Sequence, residues 1–267
     1  MGQAAASHKP LTYRRLGEGP WLVGLHGFGE DGRIWDNILH ELSETAEVIV
    51  PTLPGCDGQE WTYLHDEYLS LEYMADQLLE TLTDAKIHAC TLLGHSMGGY
   101  LSLAFAERHP ERIHGLVLLH STAMPDSESK RTQRVRSIRF METYGAAAFL
   151  RETIPALYAP AFAAAHPSII QKHLQHTLEW ASPAVLIAHY RAMMDRPDRQ
   201  QYLQDSRWPA GFLAGALDKA VPLEESLPQI AGLPTAQTAI WADIAHMAMK
   251  ECPEQLVAFL TSFLSDR

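Results

Sequence analysis

The chain is 267 residues long, enough for one sizeable domain with an insertion and thin for two independent ones. Apolar residues make up 46% and charged residues 20%, an ordinary balance for a globular protein, and the formal net charge is −11. That charge argues against nucleic-acid binding, which needs a basic surface, and against electrostatic docking on an anionic membrane. Three scattered cysteines, Cys56, Cys90 and Cys252, make neither a disulfide framework nor a Cys-x-x-Cys zinc pattern, so a reducing, cytoplasmic setting is expected. The opening "MGQAAASHKP" lacks a basic start followed by an apolar core, so residues 1–10 read as a disordered leader and not a secretory signal. The longest uncharged stretch, residues 153–171, carries Pro155, Pro160, Pro167 and His166, and no membrane span is expected.

Six short apolar runs follow one another along the chain. They are "WLVGLHG" (21–27), "EVIVPTLPG" (47–55), "ACTLLGHS" (89–96), "GLVLLHS" (115–121), "GFLAGALD" (211–218) and "QTAIWAD" (237–243). Several are apolar almost throughout, the pattern of parallel strands covered on both faces. Helical faces lie between and after them: Leu71, Met74, Leu78 and Leu82; then Met97, Leu101, Ala104 and Phe105; then Leu256, Leu260, Phe263 and Leu264. Strand alternating with helix predicts an α/β fold with a mostly parallel central sheet flanked by helices. Residues 122–208 break the alternation with amphipathic stretches punctuated by prolines 155, 160, 167, 183 and 197, and predict an all-helical cap inserted between two late strands. The expected domains are a core of residues 11–121 and 209–267 and a cap of residues 122–208.

The run "GHSMGG" (94–99) places Ser96 between small residues, after a strand and before a helix. That is the context of a nucleophile elbow, in which a sharp turn lifts the serine hydroxyl above the sheet. Such backbone strain costs about 1–3 kcal/mol, and the helix start aims free N–H groups at developing negative charge. Small residues could equally serve close helix–sheet packing. A serine nucleophile needs a base, and the base needs an orienting acid. Asp218 closes the fifth run and His246 follows the sixth, giving the order Ser, Asp, His at the carboxyl ends of strands. The two oxyanion donors expected are the backbone N–H groups of Met97 and of Phe28, in "HGFG" (26–29), each contributing about 2.7–4 kcal/mol to the transition state.

These pieces, "HGFG", "LPG", "GHSMGGY", "GALDKAVP" and "AHMAMKECPE", resemble in order and content a lidded, serine-nucleophile member of the α/β-hydrolase superfamily, over nearly the whole chain. The resemblance implies an esterase-like serine hydrolase acting on an ester or related acyl bond of a small to medium substrate, with no cofactor and no metal. It also admits carbon–carbon bond hydrolases and lyases that use the same triad, and small-molecule receptors with the hydrolase fold. Two departures stand out: Thr52 precedes "LPG" where many relatives carry an acid, and Cys56-Asp57-Gly58 follows it. The serine argues against relatives that use an aspartate nucleophile.

Other residues compete for roles. Asp243 and Asp126 are rival acids. His173 and His176 share a helical face, without the pattern of a zinc site, and read as exposed. His26 reads as ordering the oxyanion loop, His95 as packing beside the elbow, and Cys56 as a bystander. The basic run "KRTQRVRSIR" (130–139) reads as a solvated face, with attraction of an acidic substrate as the sharper alternative. Trp35, Tyr100, Trp180, Tyr190 and Met193 are the candidate substrate-pocket residues.

Overall fold

The computed structural model describes residues 9–59, 69–233 and 235–265. The leader expected over residues 1–10 lies outside the described residues except for Lys9 and Pro10. Seven strands form one sheet: β1 (Tyr13–Leu16), β2 (Trp21–Leu25), β3 (Glu47–Pro51), β4 (Cys90–His95), β5 (Ile113–Leu119), β6 (Ala210–Gly215) and β7 (Gln237–Trp241). Their order is β1-β3-β2-β4-β5-β6-β7. β1 pairs antiparallel to β3, and every other pairing is parallel. The six apolar runs correspond to β2 through β7. β1, "YRRL", was not expected; it is an edge strand with Arg14 and Arg15 exposed, so no apolar alternation announces it.

The helices are α1 (Asp36–Leu42), α2 (Leu71–Asp84), α3 (Met97–Arg108), α4 (Glu128–Thr153), α5 (Pro160–Ala165), α6 (Pro167–Trp180), α7 (Pro183–Met194), α8 (Gln200–Gln204), α9 (Leu223–Ala231), α10 (Ala248–Glu251) and α11 (Pro253–Ser265). α2 and α3 cover one face of the sheet, where Met74, Leu78, Leu101 and Phe105 meet Val23, Leu92 and Leu116. α1 and α11 cover the other, where Ile38, Leu42, Leu256 and Leu260 meet Val48, Leu93 and Val117. Burial on both faces is why these strands are apolar throughout. Ser70 starts α2 by accepting a hydrogen bond from the Tyr73 N–H at 3.0 Å.

The helices α4 to α8 all lie between β5 and β6. Their prolines act as starts: Pro160, Pro167 and Pro183 each stand in the first turn of a helix, where a missing N–H costs nothing. α4 is broken at Gly145, whose φ of 83° and ψ of 166° are not helical. Its two halves therefore run in different directions.

The chain leaves the adjacent strands β2 and β4 toward opposite edges of the sheet, β2 to β3 and β4 to β5. Crevices in open parallel sheets form at such a switch point, above the carboxyl ends of the strands. Phe105, fully buried between α3 and the sheet, tests the packing beneath it. Phe105→Ala is expected to cost about 3–5 kcal/mol of stability, read as a lower urea midpoint.

Candidate active site

Ser96 sits between β4 and α3 with φ 51° and ψ −115°, a conformation that strains any residue with a side chain. The glycines around it explain how it is held. A Cβ on Gly98 would stand 2.1 Å from the Leu25 carbonyl oxygen. One on Gly94 would lie 2.5 Å from the Gly98 carbonyl oxygen, and one on Gly99 would lie 2.2 Å from the Ser121 hydroxyl. The start of α3 is therefore pressed onto β4, onto the end of β2 and against the residues after β5. The Ser96 N–H donates to the Leu119 carbonyl at 3.0 Å, and the Ser121 hydroxyl donates to the Ser96 carbonyl at 2.7 Å. The small residues serve close packing, and that packing holds Ser96 in its strained turn.

His246 Nδ1 lies 2.7 Å from Asp218 Oδ2, and both side chains are buried. Burial alone would raise the Asp218 carboxyl, but the His246 and His120 rings hold it far below the usual carboxylate range. Asp218 Oδ1 accepts from the N–H groups of Ala220 and Val221 at 2.8 and 3.0 Å, which fixes the carboxylate. The acid is thus ionised and oriented, and His246 must carry its proton on Nδ1. Its Nε2 has no hydrogen-bond partner among the described residues, and His246 and Ser96 line the same cavity. Among the described residues, Ser96 and His246 are not joined by a hydrogen bond. Such contacts are often long without substrate and tighten when it binds.

The histidine loop is clamped from below. Glu251 accepts from the Met247 N–H at 3.0 Å through one oxygen, and from the N–H groups of Ala245 and Ala159 at 3.3 and 3.0 Å through the other. The His246 N–H donates to the Leu157 carbonyl in the helical insertion at 2.9 Å. Nothing in the sequence pattern marks Glu251, because its partners are backbone groups.

A second pair lies beneath the serine. His95 Nδ1 is 2.9 Å from Glu30 Oε2, and His95 Nε2 is 2.9 Å from the His246 carbonyl oxygen. Both ring nitrogens face acceptors, so the ring is an imidazolium. Burial would lower its pKa, but the Glu30 charge and the two hydrogen bonds raise it. Burial would likewise raise Glu30, yet His95 pulls it down to about 2. Glu30 also accepts the Gly27 N–H at 2.7 Å. One buried ion pair therefore ties the loop after β2, the residue before Ser96 and the backbone of His246 together. His26 Nε2 accepts the Leu53 N–H at 3.1 Å and joins the same loop to the end of β3. The N–H groups of Phe28 and Met97 have no acceptor among the described residues, and Phe28 lines the cavity beside Ser96.

Tyr100, Tyr190 and Met193 line that cavity, which encloses about 390 Å³. Trp35 and Trp180 do not. Trp35 is buried behind β2 against Gly24, and Trp180 donates its indole N–H to Asp31 at 2.9 Å. Asp243 is exposed, and Asp126 binds Arg134 and Arg196 instead of a histidine. His173, expected at the surface, is buried and hydrogen-bonded to the Tyr158 hydroxyl at 2.9 Å, because its face of α6 packs inward. Donor atoms of His120, Asp218 and His246 lie within 4.8 Å of one another. A cation there would have to displace the His246 Nδ1 proton and with it the bond to Asp218. His120 Nδ1 lies 3.2 Å from Asp218 Oδ2, and burial lowers the His120 pKa to about 4. Cys56 is buried, which raises its thiol pKa well above the usual range. Among the described residues no helix is long and apolar enough to cross a membrane.

Sheet order, elbow and crevice define a class, and comparison with known proteins gives it a family. A family described as the alpha/beta hydrolase fold matches residues 20–155, and the chain belongs to it. It is 26% identical, over 95% of its length and 99% of the relative's, to the pimeloyl-[acyl-carrier protein] methyl ester esterase of Aeromonas hydrophila. A malate-bound thermophilic esterase from Thermogutta terrifontis superposes with a TM-score of 0.87 at 28% identity, covering 96% of this chain and 93% of that one. The enol-lactonase of Burkholderia xenovorans LB400 shares the fold at 21% identity, with a TM-score of 0.85 over 96% of each chain. The protein is thus a hydrolase-fold chain with esterase-like relatives.

The Glu30–His95 pair has a pH signature. Glu30 contributes stability that is complete above its unfolded pKa near 4.5 and is lost as pH falls toward about 2. His95 contributes stability that is complete below 6.5 and is lost as pH rises through its raised folded value. Their joint contribution is therefore largest between about pH 4.5 and 6.5. Glu30→Gln is expected to destabilise the protein by about 3–5 kcal/mol in that window and to flatten the dependence of the urea midpoint on pH.

Proposed function

We propose that the protein is a serine hydrolase of esters or related acyl compounds. Ser96 attacks the acyl carbonyl, and His246 takes its proton through Nε2 and passes it to the leaving group. Asp218 keeps the imidazole in that tautomer and stabilises its positive charge. The N–H groups of Phe28 and Met97 hold the oxyanion, and water activated by His246 releases the acyl group. The helical insertion acts as a cap that closes the cavity over the substrate.

One observation carries this reading. The strained Ser96 opens into the same cavity as a buried histidine whose other ring nitrogen is held 2.7 Å from an ionised carboxylate. The cavity volume of about 390 Å³ suits a small to medium substrate, and Phe28, Phe149 and Leu150 give it an apolar wall. The esterases among the relatives support ester chemistry, and the putative carbamate hydrolases among them support related acyl bonds.

A fluorophosphonate probe is expected to label Ser96, and Ser96→Ala is expected to lower kcat on an activated acyl ester by at least about a thousandfold with little change in stability. Hydrolysis by Ser96→Ala at the wild-type rate would reject the proposal.

A further inference from the structure

The basic run on α4 is not uniformly solvated. Arg131, Arg136 and Arg139 are exposed, but Arg134 turns inward and its side chain is only 11% exposed. Lys130, Gln133, Arg134 and Ser137 recur at helical spacing and line the cavity that contains Ser96 and His246. Beyond the break at Gly145 the other half of α4 contributes Phe149 and Leu150 to the same cavity. The part of the lining from the first half of α4 is therefore polar and basic, and the part from the second half is apolar.

The guanidinium of Arg134 is fixed. Its Nε donates to Asp126 Oδ2 at 2.6 Å, its Nη2 reaches Asp126 Oδ1 at 3.3 Å, and its plane lies over the Tyr190 ring at 5.0 Å. Asp126 cannot neutralise it alone. The same fully buried carboxylate also takes Arg196 Nη1 at 2.7 Å, so two cations share one anion. The aromatic faces of Tyr190 and Tyr100 offset part of the excess charge. Arg134 Nη1 has no acceptor among the described residues. Lys130 donates to the Ala220 carbonyl at 2.8 Å and stands 3.7 Å from the more exposed Glu225. The remaining carboxylate of the lining, Glu30, is neutralised by His95.

We propose that Arg134, supported by Lys130, is an anion subsite of this cavity, and that the substrate is a carboxylate-bearing ester. This rests on the serine-hydrolase reading of the cavity. A planar guanidinium held by a buried carboxylate is preorganised for a second carboxylate, and an unneutralised cation in a confined space favours an anionic guest. The apolar wall takes the carbon chain between the two functional groups.

Two measurements test the subsite. The first does not require turnover: glutarate is titrated calorimetrically into Ser96→Ala protein, with uncharged glutaramide as the control. Glutarate is expected to bind at least about tenfold more tightly than glutaramide, and adding Arg134→Gln is expected to remove that difference. The second compares kcat/KM for monomethyl glutarate with methyl valerate, and for 4-acetoxybenzoate with phenyl acetate, placing the charge on the acyl or the leaving side. At least one charged ester is expected to be preferred about tenfold or more, and Arg134→Gln is expected to reduce that ratio. Gln133→Glu, at an exposed position on the same wall, should reduce the ratio without disturbing the buried pair, so the test survives if Arg134→Gln does not fold. Equal binding of glutarate and glutaramide, or ratios near one in both ester pairs, would overturn the subsite. Failure of all four esters together with failure of fluorophosphonate to label Ser96 would instead reject the parent reading, and the calorimetry would still report on the subsite.

Discussion

Steric contact at the start of α3 is the constraint on which the rest of this structure depends. Backbone atoms of Leu25, Gly98 and Gly99 occupy the volume that side chains at Gly94 and Gly98 would need. The helix can start only where it does, and Ser96, squeezed between it and β4, takes a positive φ. The strain is local, but what sustains it is the apolar packing of α2 and α3 on a sheet whose parallel strands are buried on both faces. A marginal core could not hold an element that costs this much.

Charge below the serine organises what lies around it. The Glu30–His95 pair is fully buried, and each member satisfies a backbone group of a different segment, Gly27 on one side and His246 on the other. A buried ion pair seldom adds much net stability, since desolvation offsets most of the attraction. Its value here is registry: it fixes the loop after β2, the elbow and the histidine loop relative to one another. Glu251 does the same for the histidine loop using only N–H donors.

Much of this was legible in the residues, and the reasons for the rest are physical. Continuous apolar runs such as "CTLLGH" show a buried strand directly, and prolines 160, 167 and 183 mark helix starts in the insertion. β1 is invisible to that logic because an edge strand with outward arginines has no apolar face to display. Trp35 and Trp180 are large aromatics that suit a pocket, but sequence alone does not give the side of the sheet or of a helix on which a ring falls. Arg134 differs from Arg131 and Arg136 by direction around a helix and by Asp126, eight residues back. Glu30 and Glu251 act on backbone N–H groups, which every residue except proline has, so neither leaves a motif.

The hydrogen bond from His246 to the Leu157 carbonyl, with the Ala159 N–H on Glu251, anchors the foot of the helical insertion to the imidazole's own loop. This insertion is consequently not an exchangeable cassette. A graft that replaces residues 154–158 with a segment of different path would remove the main-chain acceptor of the His246 N–H. Chimeras made to alter selectivity in this scaffold should keep that short stretch native and vary only the helices that follow it.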